Sequence, residues 1–100
     1  MPKRVDANQA EIVAALRDIG ATVLDLHEVG KGCPDLLVEY RRALWLIEVK
    51  DGEKPPSKRR LTPAEEKFFL EWDTPIIVKS ADEAIRYITG YASPADMPPF

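Results

Sequence analysis

Apolar side chains recur along the chain with two different periods, and the period separates helices from strands. Residues 7–19 repeat apolar side chains every three to four positions, which predicts a first helix that ends at Gly20. Asp6, followed three residues later by Gln9, resembles a capping box at its start. Residues 22–26 are β-branched and apolar, and they predict a first strand.

Two further apolar runs of strand length, residues 35–40 and 44–50, flank a pair of arginines. If Arg41 and Arg42 form a two-residue turn, the two runs make a hairpin. The middle of this hairpin is apolar at consecutive positions, so we expect it to be buried on both faces. Such strands are typical of the centre of a sheet that helices cover.

In the second half of the chain, predicted secondary structure resumes after a polar stretch. Residues 51–60 have no apolar side chain outside their prolines, which predicts an extended or mobile loop. A second helix then begins with Thr62 as N-cap, Pro63 in its first turn and Glu65 completing a capping box. Phe68, Phe69 and Trp72 supply the apolar side of this helix.

A short buried strand at 76–78 precedes a third helix, which Ser80 and Glu83 cap and which runs to about Thr89. Residues 91–100 contain three prolines and form a tail that either stays loose or docks on a partner. The predicted order is therefore helix, three strands, helix, strand, helix.

Composition limits the kind of protein. At 100 residues the chain forms one small domain, which dimerisation would help to stabilise. The net charge of -3 argues mildly against indiscriminate binding to nucleic acid. A single cysteine excludes an internal disulfide and fits a reducing setting, and no apolar run approaches membrane length, so we expect a cytoplasmic protein without membrane association.

Charged residues stand at the ends of the two hairpin strands, where a core would not favour them. The two-residue turn places Asp35 opposite Glu48, and Glu48 and Lys50 share a face because they are two positions apart. Facing carboxylates repel each other unless a cation or proton intervenes, and Mg²⁺ with phosphodiester chemistry is one solution. The alternative is a charged strand end with an exposed Glu48–Lys50 pair worth about 0–1 kcal/mol. Spacing alone leaves both interpretations open.

Three segments carry a family resemblance: 32–38 (GCPDLLV), 48–52 (EVKDG) and 61–63 (LTP). Together with the αβββαβα order they resemble the PD-(D/E)XK nuclease superfamily and, within it, the stand-alone VRR-NUC proteins of phages and prophages. The similarity spans roughly residues 4–90. It implies a restriction-endonuclease-like α+β domain over residues 1–90, with a central mixed β-sheet flanked by helices, followed by the tail at 91–100.

The resemblance also implies an activity and its residues. Such proteins are divalent-metal nucleases that act on structured DNA, and the stand-alone type is associated with homodimers that cut four-way junctions. Asp35 and Glu48 would bind Mg²⁺ or Mn²⁺, with the carbonyl of Val49 as a further ligand, and Lys50 would assist the attacking water. The family's first-helix glutamate falls on Glu11, so the resemblance implies that Glu11 is a further ligand of the metal or of its water shell. On its own pattern Glu11 is an ordinary surface acid in the first turn of a helix.

The basic residues and Glu65 complete the candidate site. Phosphate contacts are expected from one lysine in the glycine loop and from the loop after the catalytic strand: Lys31, Lys54, Lys58, Arg59 and Arg60. The ordinary alternative for each is a solvated loop residue. Where the family often has a glutamine, this chain has Glu65, which either faces away from the site as a capping residue or adds negative charge near the substrate phosphate.

The sequence therefore predicts a Mg²⁺- or Mn²⁺-dependent DNA endonuclease, with branched DNA as substrate and a homodimer as the active form. The rival from another class is a non-catalytic DNA-binding or scaffold module that keeps the fold. A sequence-specific restriction-type nuclease ranks lower, because the chain offers no obvious element for reading bases.

Overall fold

The computed structural model describes residues 7–98 as a four-stranded mixed sheet with three α-helices. The elements are α1 (Gln9–Asp18), β1 (Thr22–Asp25), β2 (Leu36–Tyr40), β3 (Ala43–Val49), α2 (Pro63–Glu71), β4 (Ile76–Val78) and α3 (Ala81–Gly90). Strands β1, β2 and β3 are antiparallel neighbours, and β4 pairs parallel to β3. None of the described helices is both long and apolar enough to cross a bilayer.

The β2–β3 hairpin has the predicted register. Tyr40 pairs with Ala43 across the turn, and the pair at the other end of the ladder joins Leu36 to Ile47. The turn is two residues long, with Arg41 at φ 51° and Arg42 at φ 69°. Positive φ at both central positions is the backbone of a type I′ turn, whose twist matches that of the flanking strands. The prediction of a two-residue turn is confirmed.

The hydrophobic core lies on one face of the sheet. Strand residues whose side chains share this face are fully or almost fully buried; they are Val23, Leu36, Val38, Trp45, Ile47, Val49, Ile76 and Val78. Helix α1 contributes Ile12 and Leu16 to the same cluster, and α3 contributes Ala84 and Ile88. The two helices also contact each other, so they close one side of the sheet as a single layer.

The opposite face is less covered than the sequence predicted. Leu24, Leu37 and Leu46 lie side by side across β1, β2 and β3, and we call them the leucine row. Leu37 and Leu46 are half-buried, and Leu24 is exposed. Leu44, two positions before Leu46 on the same face, is also exposed. The expectation of a hairpin buried on both faces therefore holds on the core face and only in part on the opposite face, where Leu37 and Leu46 are half-buried.

The start of α1 is tied to the ends of β3 and β4. The N-cap residue is Asn8, whose side-chain amide donates hydrogen bonds to the carbonyls of Lys50 (3.2 Å) and Lys79 (3.0 Å). Asp6, the first member of the predicted capping box, lies outside the described residues. Gln9 is buried, and its amide donates to Asp25 at 3.2 Å.

Helix α2 begins as predicted but packs differently. The Thr62–Glu65 capping box is present. The apolar side of the helix is not buried: Phe68 is half-buried and stacks on the exposed Trp72, with ring centroids 5.3 Å apart. Glu65 is the buried residue of this helix. The predicted apolar side of α2 is therefore only partly buried.

The described part of the C-terminal tail folds back onto its own domain. Tyr91 and Met97 pack against the hydrophobic core, and a 3₁₀ turn at Pro94–Asp96 contacts β3. Of the two predicted alternatives, a loose tail does not describe residues 91–98, which pack on the domain. Docking of the tail on a partner stays a prediction.

Candidate active site

The charged residues at the end of the central hairpin converge in the interior. Asp35, Glu48, Lys50 and Glu65 are exposed by only 2%, 0%, 9% and 2% respectively. Continuing the β2–β3 register by one step places Asp35 opposite Glu48, as predicted. Buried charges are stable only when they are paired and hydrogen-bonded, so their partners determine what this cluster can do.

Each charge has a specific neighbour. One carboxylate oxygen of Asp35 accepts a hydrogen bond of 2.7 Å from the backbone N–H of Val49, which links the ends of β2 and β3. The ammonium nitrogen of Lys50 lies 3.5 Å from Glu48 Oε2 and 2.8 Å from Glu65 Oε1. Two carboxylates thus lie within 3.5 Å of one ammonium, and a third, that of Asp35, is buried at the same end of the hairpin. Three acidic side chains against one basic side chain favour the binding of a cation.

Glu65 faces the cluster because the start of α2 holds it there. Its Oε1 accepts from the N–H of Thr62 at 2.8 Å, and its own N–H donates to Thr62 Oγ1 at 3.2 Å. Of the two orientations that the sequence left open, the structure has Glu65 pointing inward, where it contacts Lys50 rather than solvent. Glu65 therefore both caps its helix and joins the charged cluster.

A left-handed loop packs against this same helix start. Gly30, Lys31 and Gly32 have φ of 70°, 57° and 78°. A Cβ added to Gly32 would lie 2.1 Å from the carbonyl oxygen of Ala64, closer than any real contact. Only glycine fits there, so the loop before Asp35 fixes the position of the residue that precedes Glu65. The side chain of Lys31 is exposed, as a phosphate-binding residue requires.

The metal prediction rests on Asp35 and Glu48. Across residues 7–98 no group of three or more His, Cys, Asp or Glu side chains forms a metal-holding cluster. Glu11 is exposed and lines a cleft with Asp51 and Arg59, and neither Asp35 nor Glu48 is among the residues that line it. The structure thus brings two of the predicted ligands together but not Glu11, whose role stays a prediction, as does that of the Val49 carbonyl.

The basic loop has local structure. A 3₁₀ turn forms at Pro56–Lys58, so the segment is not simply extended. Lys54, Lys58 and Arg60 are exposed, and Arg59 is half-buried in the cleft that Glu11 lines. Three of these four side chains are therefore directly available for phosphate contacts.

A polar network at the end of β1 was not foreseen as a unit. Asp25 Oδ1 accepts from the backbone N–H of His27 (2.8 Å) and lies 2.7 Å from its Nδ1, and Asp25 Oδ2 accepts from Gln9. Burial alone raises the pKa of Asp25, but the hydrogen bonds and charge of His27 and the Gln9 amide outweigh it and lower that pKa below its ordinary value. The Asp-x-His spacing was the available signal.

The described residues thus form an α+β domain with a mixed sheet, whose central hairpin ends in the buried Asp35, Glu48 and Lys50. A solved structure described as "VRR_NUC domain" matches the chain with a TM-score of 0.61 and 23% sequence identity, covering 86% of this chain and 99% of that one. No protein-family model and no curated protein matches the sequence. The chain therefore has the fold of a VRR_NUC domain, which confirms the predicted fold class.

Proposed function

We propose that this protein is a divalent-metal-dependent endonuclease that hydrolyses phosphodiester bonds in DNA. The observation that carries the proposal is the buried cluster of Asp35, Glu48 and Lys50 at one end of the central hairpin. The fold shared with a structure described as a VRR_NUC domain supports the same class of activity.

The energetic cost of the cluster argues for a chemical role. Replacing buried ion pairs by apolar residues of similar volume is often neutral or stabilises a protein by about 1–4 kcal/mol. Leu46, two positions before Glu48 in β3 and on the same face, is apolar and half-buried, so this face accepts apolar side chains. Stability therefore gives no reason to keep Glu48 in the interior, whereas phosphoryl chemistry does.

The donor set fits a hard cation. Mg²⁺ or Mn²⁺ commonly takes one or two carboxylates and completes its coordination with water and substrate phosphates, so Asp35 and Glu48 suffice as protein side-chain ligands. We propose the Val49 carbonyl and Glu11 as additional inner or outer ligands. When bound, the ion supplies Lewis-acid polarisation of the phosphate and a water of lowered pKa.

The protein's own groups have separate duties. The N–H of Val49 orients the Asp35 carboxylate. Lys50, held within 3.5 Å of Glu48, orients the attacking water and offsets negative charge that develops on the phosphate. Lys31, Lys54, Lys58, Arg59 and Arg60 contact backbone phosphates of the DNA, which gives affinity that weakens with salt rather than base selectivity.

We further propose a homodimer that acts on branched DNA such as a four-way junction. The leucine row lies on the same face of the sheet as Asp35 and Glu48, which are two positions along from Leu37 and Leu46, and Leu24 at its edge is exposed. A second copy that packs on this row would therefore bring two sites into one dimer. Leu24→Lys should then give a monomer by light scattering, whereas Val29→Lys, at a similarly exposed position, should remain dimeric. A monomeric wild type would contradict this part. The cytoplasmic setting and phage origin remain predictions.

The activity is tested on labelled four-way junctions, flaps and plain duplex, with Mg²⁺, Mn²⁺ or EDTA. Wild type should cut only with metal. Asp35→Asn and Glu48→Gln should abolish cutting and Lys50→Ala should slow it severely, while DNA binding persists in all three variants. Equal cutting by wild type and all three variants would point to a contaminating nuclease and contradict the proposal. Metal-independent DNA binding by wild type without any cutting would instead support the non-catalytic module.

A further inference from the structure

We infer that Glu65 is a positioning residue for Lys50 and that their contact ties the far end of the basic loop to the catalytic strand. The inference rests on the proposed nuclease function for its effect on rate, but the contact itself can be measured without activity. It assigns a role to a side chain that its helix cap alone would explain only in part.

A single oxygen atom makes the connection. Glu65 Oε1 lies 2.8 Å from Lys50 Nζ and also accepts the Thr62 N–H at 2.8 Å. The Lys50 ammonium is closer to Glu65 than to Glu48, whose Oε2 is 3.5 Å away. Of these two carboxylates, Glu65 is therefore the stronger constraint on where the ammonium lies.

Helix capping does not account for the burial of Glu65. A capping box needs only an acceptor at the third helical position and forms readily at a protein surface. Glu66, the next residue of the same turn, is exposed, and the aromatic residues of α2 are at most half-buried. Burying a carboxylate in preference to Phe68 or Phe69 is costly unless a cation pairs with it, and Lys50 is that cation.

The contact also closes a loop. Residues 51–61 leave the catalytic strand after Lys50 and enter α2 at Thr62. Glu65 Oε1 accepts hydrogen bonds from Lys50, which precedes this segment, and from the N–H of Thr62, which follows it. Both ends of the segment are therefore bound to the same oxygen atom. The basic residues proposed to hold DNA lie inside this closed segment, so Glu65 couples their position to that of Lys50.

The experiment compares Glu65→Gln and Glu65→Ala with Glu66→Gln as matched control. A glutamine still accepts the Thr62 N–H but removes the charge opposite Lys50. For Glu65→Gln we expect unchanged DNA affinity with single-turnover cleavage slowed about 10- to 100-fold, the usual effect of removing a residue that orients a catalytic group. Glu65→Ala should also lose DNA affinity, and trypsin should cut it faster than wild type after Lys58, Arg59 and Arg60. The control Glu66→Gln should match wild type in all three measurements.

Cleavage by Glu65→Gln at the wild-type rate would overturn the inference, since a cap alone would then explain the residue. A second readout does not depend on the nuclease activity. The side-chain ammonium of Lys50 should give a protected ¹H–¹⁵N signal that shifts or disappears in Glu65→Gln and is unchanged in Glu66→Gln. If wild type fails to cut DNA, the nuclease proposal fails alone, and an unchanged Lys50 signal in Glu65→Gln would still refute the contact.

Discussion

The two ends of the β2–β3 hairpin carry charge in opposite ways. At the turn end, Arg41 and Arg42 are exposed, and both occupy positive φ. At the other end, Glu48 lies in β3, Asp35 and Lys50 lie one residue beyond the ends of β2 and β3, and all three are buried. The charges of the turn end are therefore solvated, whereas those of the site end carry the electrostatic cost of burial.

The difference supports the proposal that the site end carries the function. Non-glycine residues at positive φ cost little enough to be tolerated in surface turns, and the two arginines need no further role. Buried like charges cost more and do not help folding, which supports the chemistry proposed for the site end. Changes at the turn end should therefore affect stability alone, and changes at the site end should affect activity first.

The largest expected effect separates the ends directly. Lys50→Ala should slow metal-dependent DNA cleavage by about 10²–10⁴-fold, the range for a residue that assists proton transfer or charge stabilisation. Arg42→Ala removes the same charge from the far end of the same hairpin and should leave the rate unchanged. Single-turnover cleavage of one junction substrate measures both. Equal cleavage rates for Lys50→Ala and Arg42→Ala would contradict the claim that only the site end of the hairpin acts in catalysis.

The backbone of the site end is tested by two glycines with similar φ. Gly32→Ala should destabilise the fold by about 3 kcal/mol, because its Cβ would collide with the Ala64 carbonyl and push the start of α2 away. Gly30→Ala has open space around it and should lose only about 1 kcal/mol from its positive φ. Denaturant unfolding measures both free energies. Similar losses would mean that the Gly32–Ala64 approach is unimportant.

The turn end can be stabilised by substitution. Replacing Arg41 and Arg42 together by Asn and Gly, the residues that type I′ turns prefer, should raise the free energy of unfolding by about 1 kcal/mol. The cleavage rate should not change, because the substitutions lie at the far end of the hairpin from Lys50. A loss of activity here would show that the two ends are coupled.

The smallest effect concerns Asp25, which neighbours the site end of the sheet. The pKa of Asp25 is lowered, which means that the folded state favours the ionised carboxylate. The stabilisation that this carboxylate gives to the fold is therefore present above the ordinary aspartate pKa, and it is lost as the pH falls through the lower pKa of the folded state. Asp25→Asn should therefore cost a little stability at pH 7 and none in strong acid. Thermal unfolding at neutral and acidic pH checks the sign, and an equal loss at both would refute the linkage.

The register was predictable because two residues between two apolar runs leave one pairing, and that pairing alone places Asp35 opposite Glu48. The direction of Glu65 was not predictable. Its capping role is satisfied whichever way the helix faces, and only the tertiary contact with Lys50 decides it. The exposure of Leu24 and Leu44 was missed for a similar reason: apolar runs indicate strands without showing whether a helix covers the second face.

The most direct test of the central claim is an anomalous difference map from crystals soaked in Mn²⁺. We expect a peak between the carboxylates of Asp35 and Glu48 in wild type, and no peak there in Glu48→Gln. The absence of any peak between these carboxylates at saturating Mn²⁺ would contradict the assignment of this cluster as a metal-dependent nuclease site.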